Sequence, residues 1–327
     1  MGTPARLRFA AGRAHPGPGI ITAMIPARHA LALATLGIAL LSFAPHAQTM
    51  KQSIAHRGAS AYAPEHTAAA YRLAIEQHAD FVEQDLGVTR DSQLICIHDD
   101  TLERTTNAAE VFPDRGSTDS RVGAGRHWLV NDFTLDEIRR LDAGKWFKPE
   151  FAGARLQTFQ EAIDLVRGKA GLYPELKSPQ LYKSRGIDQV KLFVEVVRRN
   201  GLEKPESLRT TPMIIQSFDE EATRRVASDL PGVPRILLIE RDGDVSNARL
   251  REIKTFATGI GPEKSLIAAH PELVKTAHDL GMTVTSWTFR ADEKSSFASV
   301  RAEMSHFLFD LGIDALFTNN PDLFPRR

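Results

Sequence analysis

The stretch FVEQDLGVTRDSQLICIH, residues 81–98, contains two β-like runs, 81–86 and 94–98, separated by seven residues. A parallel crossover needs a dozen or more residues, so the two runs must pair as an antiparallel hairpin. That pairing decides the fold, because the chain offers nine strand-like runs: 54–56, 81–86, 94–98, 172–176, 213–217, 236–240, 256–260, 283–288 and 315–318. Helical patterns, with apolar residues three or four apart, separate most of them at 67–78, 159–167, 188–199, 219–227 and 271–280. With one run assigned to the hairpin, eight strands alternating with helices predict an α/β fold, a (β/α)8 TIM-type barrel. A turn at Arg90-Asp91 would set Glu83 opposite His98 and Asp85 opposite Cys96. The irregular segment from about 99 to 157, with one helical patch at 135–141, reads as a cap inserted after the third strand. There is no internal repeat, low-complexity tract or second-domain linker.

The chain has 327 residues, 42% hydrophobic and 25% charged, the composition of a globular enzyme-sized protein. Residues 30–41 (ALALATLGIALL) form an apolar run of twelve, with Arg28 before it and small residues after it. That is the anatomy of a signal peptide and is too short to span a bilayer. Residues 1–47 are therefore read as a signal peptide with an upstream extension, Met24 being the better start. The mature protein is expected to begin between Pro45 and Gln48, as a periplasmic species without stable membrane insertion. Removing the four arginines of residues 1–47 leaves 37 basic against 41 acidic side chains, a balance that gives no sign of nucleic-acid binding. Cys96 is the only cysteine, which excludes an intrachain disulfide, and it reads as a small buried hydrophobe.

Strand ends carry His56-Arg57, Glu83-Gln84-Asp85, His98-Asp99, Glu175-Leu176-Lys177, Gln216-Ser217-Phe218 and Trp287. In a barrel the C-terminal strand ends converge on one face, where active sites are built. Glu83 and Asp85 are two apart on a strand and share a face, as do Glu175 and Lys177. Any one of these carboxylates alone would be a structural ion-pair partner. Three directed inward must either take up protons or surround a cation. Their hard oxygens favour Ca²⁺ or Mg²⁺ over zinc.

The motifs HRG (56–58), PEHT (64–67), EQDL (83–86), TRD (89–91), HD (98–99), RTTN (104–107), FPDR (112–115), DFTLDEI (132–138), YPELK (173–177), QSF (216–218), GIGP (259–262) and LFTNNPD (316–322) resemble the glycerophosphodiester phosphodiesterase family, in order, from about residue 54 to 322. The resemblance implies a (β/α)8 barrel with a cap and one divalent cation, Ca²⁺ before Mg²⁺ in the exported bacterial branch. It implies metal ligands at Glu83, Asp85 and Glu175 and acid-base histidines at His56 and His98. Arg57 would hold a phosphate oxygen, with Lys177, Gln216 and Trp287 as further substrate-binding residues. The broader family usually has Asn where this chain has His66; the PEHT form is that of the periplasmic branch.

The implied activity is hydrolysis of small glycerophosphodiesters, such as glycerophosphocholine, to sn-glycerol 3-phosphate and an alcohol. A homodimer is compatible with the sequence. A second reading keeps the site but takes a lysophospholipid or phosphoinositide, with the cap aromatics Phe112, Trp128, Phe133, Trp146, Phe147 and Phe151 available to line an acyl groove. A third, a non-catalytic periplasmic binding or adhesion protein, would be marked by a missing histidine or carboxylate, and none is missing.

Overall fold

The computed structural model describes residues 50–119 and 121–326, together with Met1. The signal-peptide and cleavage expectations at 30–41 and 45–48 lie outside the described residues. Nine strands follow in chain order: β1 (Gln52–Ala55), β2 (Phe81–Val88), β3 (Leu94–Cys96), β4 (Gly171–Leu176), β5 (Ile215–Ser217), β6 (Arg235–Ile239), β7 (Gly259–Pro262), β8 (Thr283–Phe289) and β9 (Ala315–Thr318). All but β3 are parallel neighbours in sequence order, and β1 pairs with both β9 and β2, which closes an eight-stranded barrel. Closure leaves the barrel sheet without a free edge.

The barrel is filled at its base by Ile54, Phe81, Tyr173, Ile236, Ala315 and Phe317, all buried. Helices cover the outside and bury their apolar stripes against the strands, as Phe159, Ala162, Ile163 and Val166 do in the helix Phe159–Val166. That helix starts where the sequence signals it, at a reciprocal cap between Thr158 and Glu161. The run expected at 256–260 lies later, at Gly259–Pro262. Phe256 and Ala257 still donate their backbone N–H groups to Ile253 O and so finish the preceding helix.

The hairpin forms, but its register differs by one residue from the expected one. Leu86 pairs with Cys96, Gly87 with Ile95 and Val88 with Leu94, so Asp85 does not face Cys96 and the ladder ends before Glu83 and His98. The turn holds three residues rather than two: Thr89 N donates to Gln93 O, and Ser92 takes φ +61°. An extra residue in the left-handed region is the usual three-residue hairpin geometry. Serine gives little warning of it. His98 lies past the end of β3 and reaches the barrel mouth through the chain's departure into the cap.

The cap has its own small core, in which Ile95, Ile97, Leu102, Phe112, Trp128 and Phe133 pack together. Phe112, Trp128 and Phe133 are thus committed to packing, while Trp146 is 41% exposed and stacks edge-on against Phe147.

Candidate active site

The interior faces of the strands change character over a few residues. Going up each strand in steps of two, Ile54 is followed by His56, Phe81 by Glu83 and Asp85, Tyr173 by Glu175 and Lys177, and Phe317 by Asn319. The lower members belong to the apolar base, and His56, Glu83, Asp85, Glu175 and Lys177 line a cavity of about 270 Å³ at the barrel mouth. All nine residues singled out in the sequence border this one cavity: His56, Arg57, Glu83, Asp85, His98, Glu175, Lys177, Gln216 and Trp287. None of the six cap aromatics does.

The turn after β1 is held by two non-glycine residues in the left-handed region, Arg57 (φ +58°) and His66 (φ +59°), joined by a hydrogen bond from His66 N to Arg57 O. This conformation directs the backbone N–H of Arg57 at Glu83 Oε2, 2.6 Å away. Gly58 follows at φ +88° and is packed so closely on the helix Ala68–Glu76 that a Cβ would come within 2.7 Å of the Ala70 carbonyl carbon. Its glycine is required by this contact as well as by its dihedral angle.

Asp85 and Glu175 stand in register on adjoining strands. Asp85 Oδ2 receives His66 Nε2 at 2.9 Å and lies 3.3 Å from Arg57 Nε; Glu175 Oε1 lies 3.3 Å from Lys177 Nζ. The three carboxylates do not share these partners equally. Burial would raise Asp85, but His66, Lys177 and Arg57 outweigh it and hold Asp85 well below the usual range. Burial and the Asp85 charge push Glu83 well above it. Burial, with Asp85 adding to it against Lys177, raises Glu175 to about 7. Fully ionised, the three carboxylates would carry one negative charge more than Arg57 and Lys177 balance, and their donor atoms are oxygens, so the cluster fits a hard divalent cation.

His66 was left without a role by sequence reasoning. Together with Glu83 and Asp85 it forms a group whose ligand atoms lie within 4.8 Å of one another. Both its ring nitrogens are engaged, Nε2 with Asp85 and Nδ1 with the Tyr71 hydroxyl at 2.9 Å. It orients Asp85, as the second partner of a ligating carboxylate does.

The two site histidines have different partners. His56 Nδ1 lies 2.7 Å from the amide oxygen of Asn319, so Nδ1 donates and Nε2 is left as the acceptor. Burial, then the charge of Arg57, lowers its pKa to about 3 and keeps the ring neutral. His98 Nδ1 lies 2.7 Å from Asp99 Oδ1. Burial would raise Asp99, but hydrogen bonds from His98 and Arg104 hold it well below its ordinary value. A carboxylate stabilises a charged imidazolium more strongly than a neutral amide does.

Sequence reasoning missed Asn319, although it lies two residues beyond Phe317 on the same face. It also missed Glu263, Lys264, Arg290 and Glu293, which complete the cavity wall from the segments after β7 and β8, where no strand period points to them. Trp287 is fixed by a hydrogen bond from Nε1 to Gly261 O at 2.7 Å and by an edge-to-face contact with Phe218. Gln216 is 3% exposed, and its Oε1 has no protein partner.

A family model described as the glycerophosphoryl diester phosphodiesterase family matches residues 56–323. The glycerophosphodiester phosphodiesterase of Bacillus subtilis (strain 168) is 35% identical over 315 residues, covering 90% of this chain and 96% of that protein. Among solved structures, a glycerophosphodiester phosphodiesterase from Agrobacterium tumefaciens is 27% identical with a TM-score of 0.62, covering 84% of this chain and 99% of that one. A phosphodiesterase from Oleispira antarctica, in complex with the product sn-glycerol-3-phosphate, shares the fold with a TM-score of 0.66 at 24% identity, covering 84% of this chain and 94% of that one.

Proposed function

This chain belongs to the glycerophosphoryl diester phosphodiesterase family and is a glycerophosphodiester phosphodiesterase; on that premise we propose that it cleaves small substrates such as glycerophosphocholine to sn-glycerol 3-phosphate and an alcohol, with His56 as base and His98 as acid. The observation that carries the assignment is the asymmetry of partners, a neutral amide behind His56 and a carboxylate behind His98.

The 2-hydroxyl of the glycerol is the nucleophile. His56 Nε2 takes its proton as the oxygen bonds to phosphorus and closes a five-membered cyclic phosphate. His98 gives its proton to the departing alkoxide. Water then opens the ring, with His98 taking its proton and His56 returning one to the 2-oxygen. Arg57 and Lys177 hold the non-bridging oxygens, and Gln216 and Trp287 border the glycerol. Glu83, Asp85 and Glu175 would hold one divalent cation, Ca²⁺ before Mg²⁺, which when bound supplies further positive charge against the phosphate. Among the described residues no Ser or Cys borders the cavity, and Lys177 and Lys264, which do, are each ion-paired with a carboxylate, which supports internal attack.

The test is a substrate lacking only the 2-hydroxyl. It should bind as a competitive inhibitor and turn over at least ~10²-fold more slowly, a modest share of the advantage of a tethered group. Turnover at the normal rate would eliminate internal attack and leave water as the nucleophile.

The cavity supports a small substrate over a lysophospholipid, since none of the six aromatics that could have lined an acyl groove borders it. Export to the periplasm belongs to the same proposal and rests on residues 30–47. Mass spectrometry of the mature protein should find its N-terminus between Pro45 and Gln48; retention of residues 30–41 would refute it.

A further inference from the structure

Arg104, from the start of the cap, does not border the cavity, yet its guanidinium grips two carboxylates that each hold a cavity residue. Nε donates to Asp99 Oδ2 at 2.5 Å and Nη2 to Asp99 Oδ1 at 3.1 Å. Nη1 donates to Glu65 Oε2 at 3.0 Å and Nη2 also to Glu65 Oε1 at 2.7 Å. Asp99 Oδ1 accepts from His98 Nδ1 at 2.7 Å, and Glu65 Oε1 accepts from Arg57 Nη1 at 3.1 Å. A continuous chain thus runs from His98 through Asp99, Arg104 and Glu65 to Arg57. Its two ends come from different parts of the fold. His98 and Asp99 open the cap, whereas Arg57 and Glu65 belong to the turn after β1.

Stability alone gives a poor account of this arrangement. The Arg104 side chain is 41% exposed, against 10% for Glu65, so water screens the arginine's side of the contact. What the fork provides is geometry, since a planar guanidinium binding two carboxylates fixes the orientation of both.

We propose that Arg104 is a positioning residue that aligns His98 through Asp99 and Arg57 through Glu65, coupling protonation of the leaving group to the grip on the phosphate. The proposal rests on the roles given above to His98 and Arg57.

Arg104→Ala should lower kcat on glycerophosphocholine by ~10–100-fold, the usual cost of losing an orienting partner, and raise KM. With the p-nitrophenyl ester of sn-glycerol 3-phosphate, whose leaving group needs little protonation, the rate of p-nitrophenol release in the first turnover should fall by less than ~5-fold. Arg104→Lys keeps the charge but not the fork and should show the same split. Added guanidinium should restore Arg104→Ala. Equal rate losses on both substrates with KM unchanged, or Arg104→Lys at the wild-type rate, would overturn the proposal. Melting temperatures of both variants separate these outcomes from unfolding.

A second measurement is independent of which histidine is the acid. Glu65→Gln and Asp99→Asn should be non-additive in kcat/KM in the wild-type background and additive in Arg104→Ala. Additivity in the wild type would refute the coupling, whereas equal losses of His98→Ala on both substrates would refute the acid assignment and leave this cycle to decide on Arg104.

Discussion

His56→Ala and His98→Ala are each expected to lower turnover of glycerophosphocholine by ~10²–10⁴-fold, the range for one positioned acid or base. The two variants should part when the alcohol is replaced by p-nitrophenol. A phenolate leaves without a proton, so His98→Ala recovers most of its rate of p-nitrophenol release in the first turnover, the step before His98 is needed as base for water. His56→Ala does not recover, because the 2-hydroxyl must still be deprotonated. The double variant should be little worse than the weaker single one on glycerophosphocholine, since both groups serve the same step. Equal deficits of the two single variants on both substrates would contradict the assignment. Recovery of His56→Ala instead of His98→Ala would reverse it.

Glu175→Gln should abolish activity to the level of chelator-treated enzyme while leaving the fold intact. The substitution keeps the volume and removes one negative oxygen donor. In the metal-free protein Glu175 titrates at about 7, against an ordinary value of 4.5, raised mainly by burial. Between those pH values the folded chain binds more protons than the unfolded one, so stability falls as pH rises through that window. Metal-free Glu175→Gln should therefore melt above metal-free wild type at pH 8, and the gap should shrink as pH falls from 7 towards 4.5. Ca²⁺ at ~100 times its Kd should stabilise the wild type by about 2.7 kcal/mol and the variant much less. Full activity of metal-stripped wild type would remove the cation from the reaction. A metal-free variant melting below the wild type at pH 8 would contradict the charge balance inferred for the cluster.

The barrel was legible because its strands are short apolar runs separated by amphipathic helices, and the nine residues that border the cavity because they stand at the ends of those runs. Glu83 with Asp85, and Glu175 with Lys177, needed only the strand period and the convergence of strand ends. What escaped depends on contacts distant in sequence or on local backbone form. The helices Pro179–Ser184, Pro205–Thr210, Lys264–Ala269 and Val300–Ser305 are six residues each, too short for a period to emerge. Ser92 shifted the hairpin by one residue through a left-handed turn that its side chain does not advertise. The bridge from Glu65 to Asp99 joins residues 34 positions apart through a third, Arg104, and no spacing rule reaches it.

The base of the barrel and its chemistry share the same faces of the same strands, with Phe81 two residues below Glu83 and Tyr173 two below Glu175. In evolutionary terms each strand is a reading frame with a step of two. Losing one residue between Phe81 and Glu83 would bring Gln84 inward and turn both acids out, while the apolar base beneath stayed filled. The segments that follow the strands carry no such frame. Glu263 and Lys264 follow β7, and Arg290 and Glu293 follow β8, all outside the strand ladder. A lineage built on this scaffold can therefore revise the cavity wall after β7 and β8 by length as well as by side chain, yet hold His56, Glu83, Asp85, Glu175 and Lys177 in one arrangement.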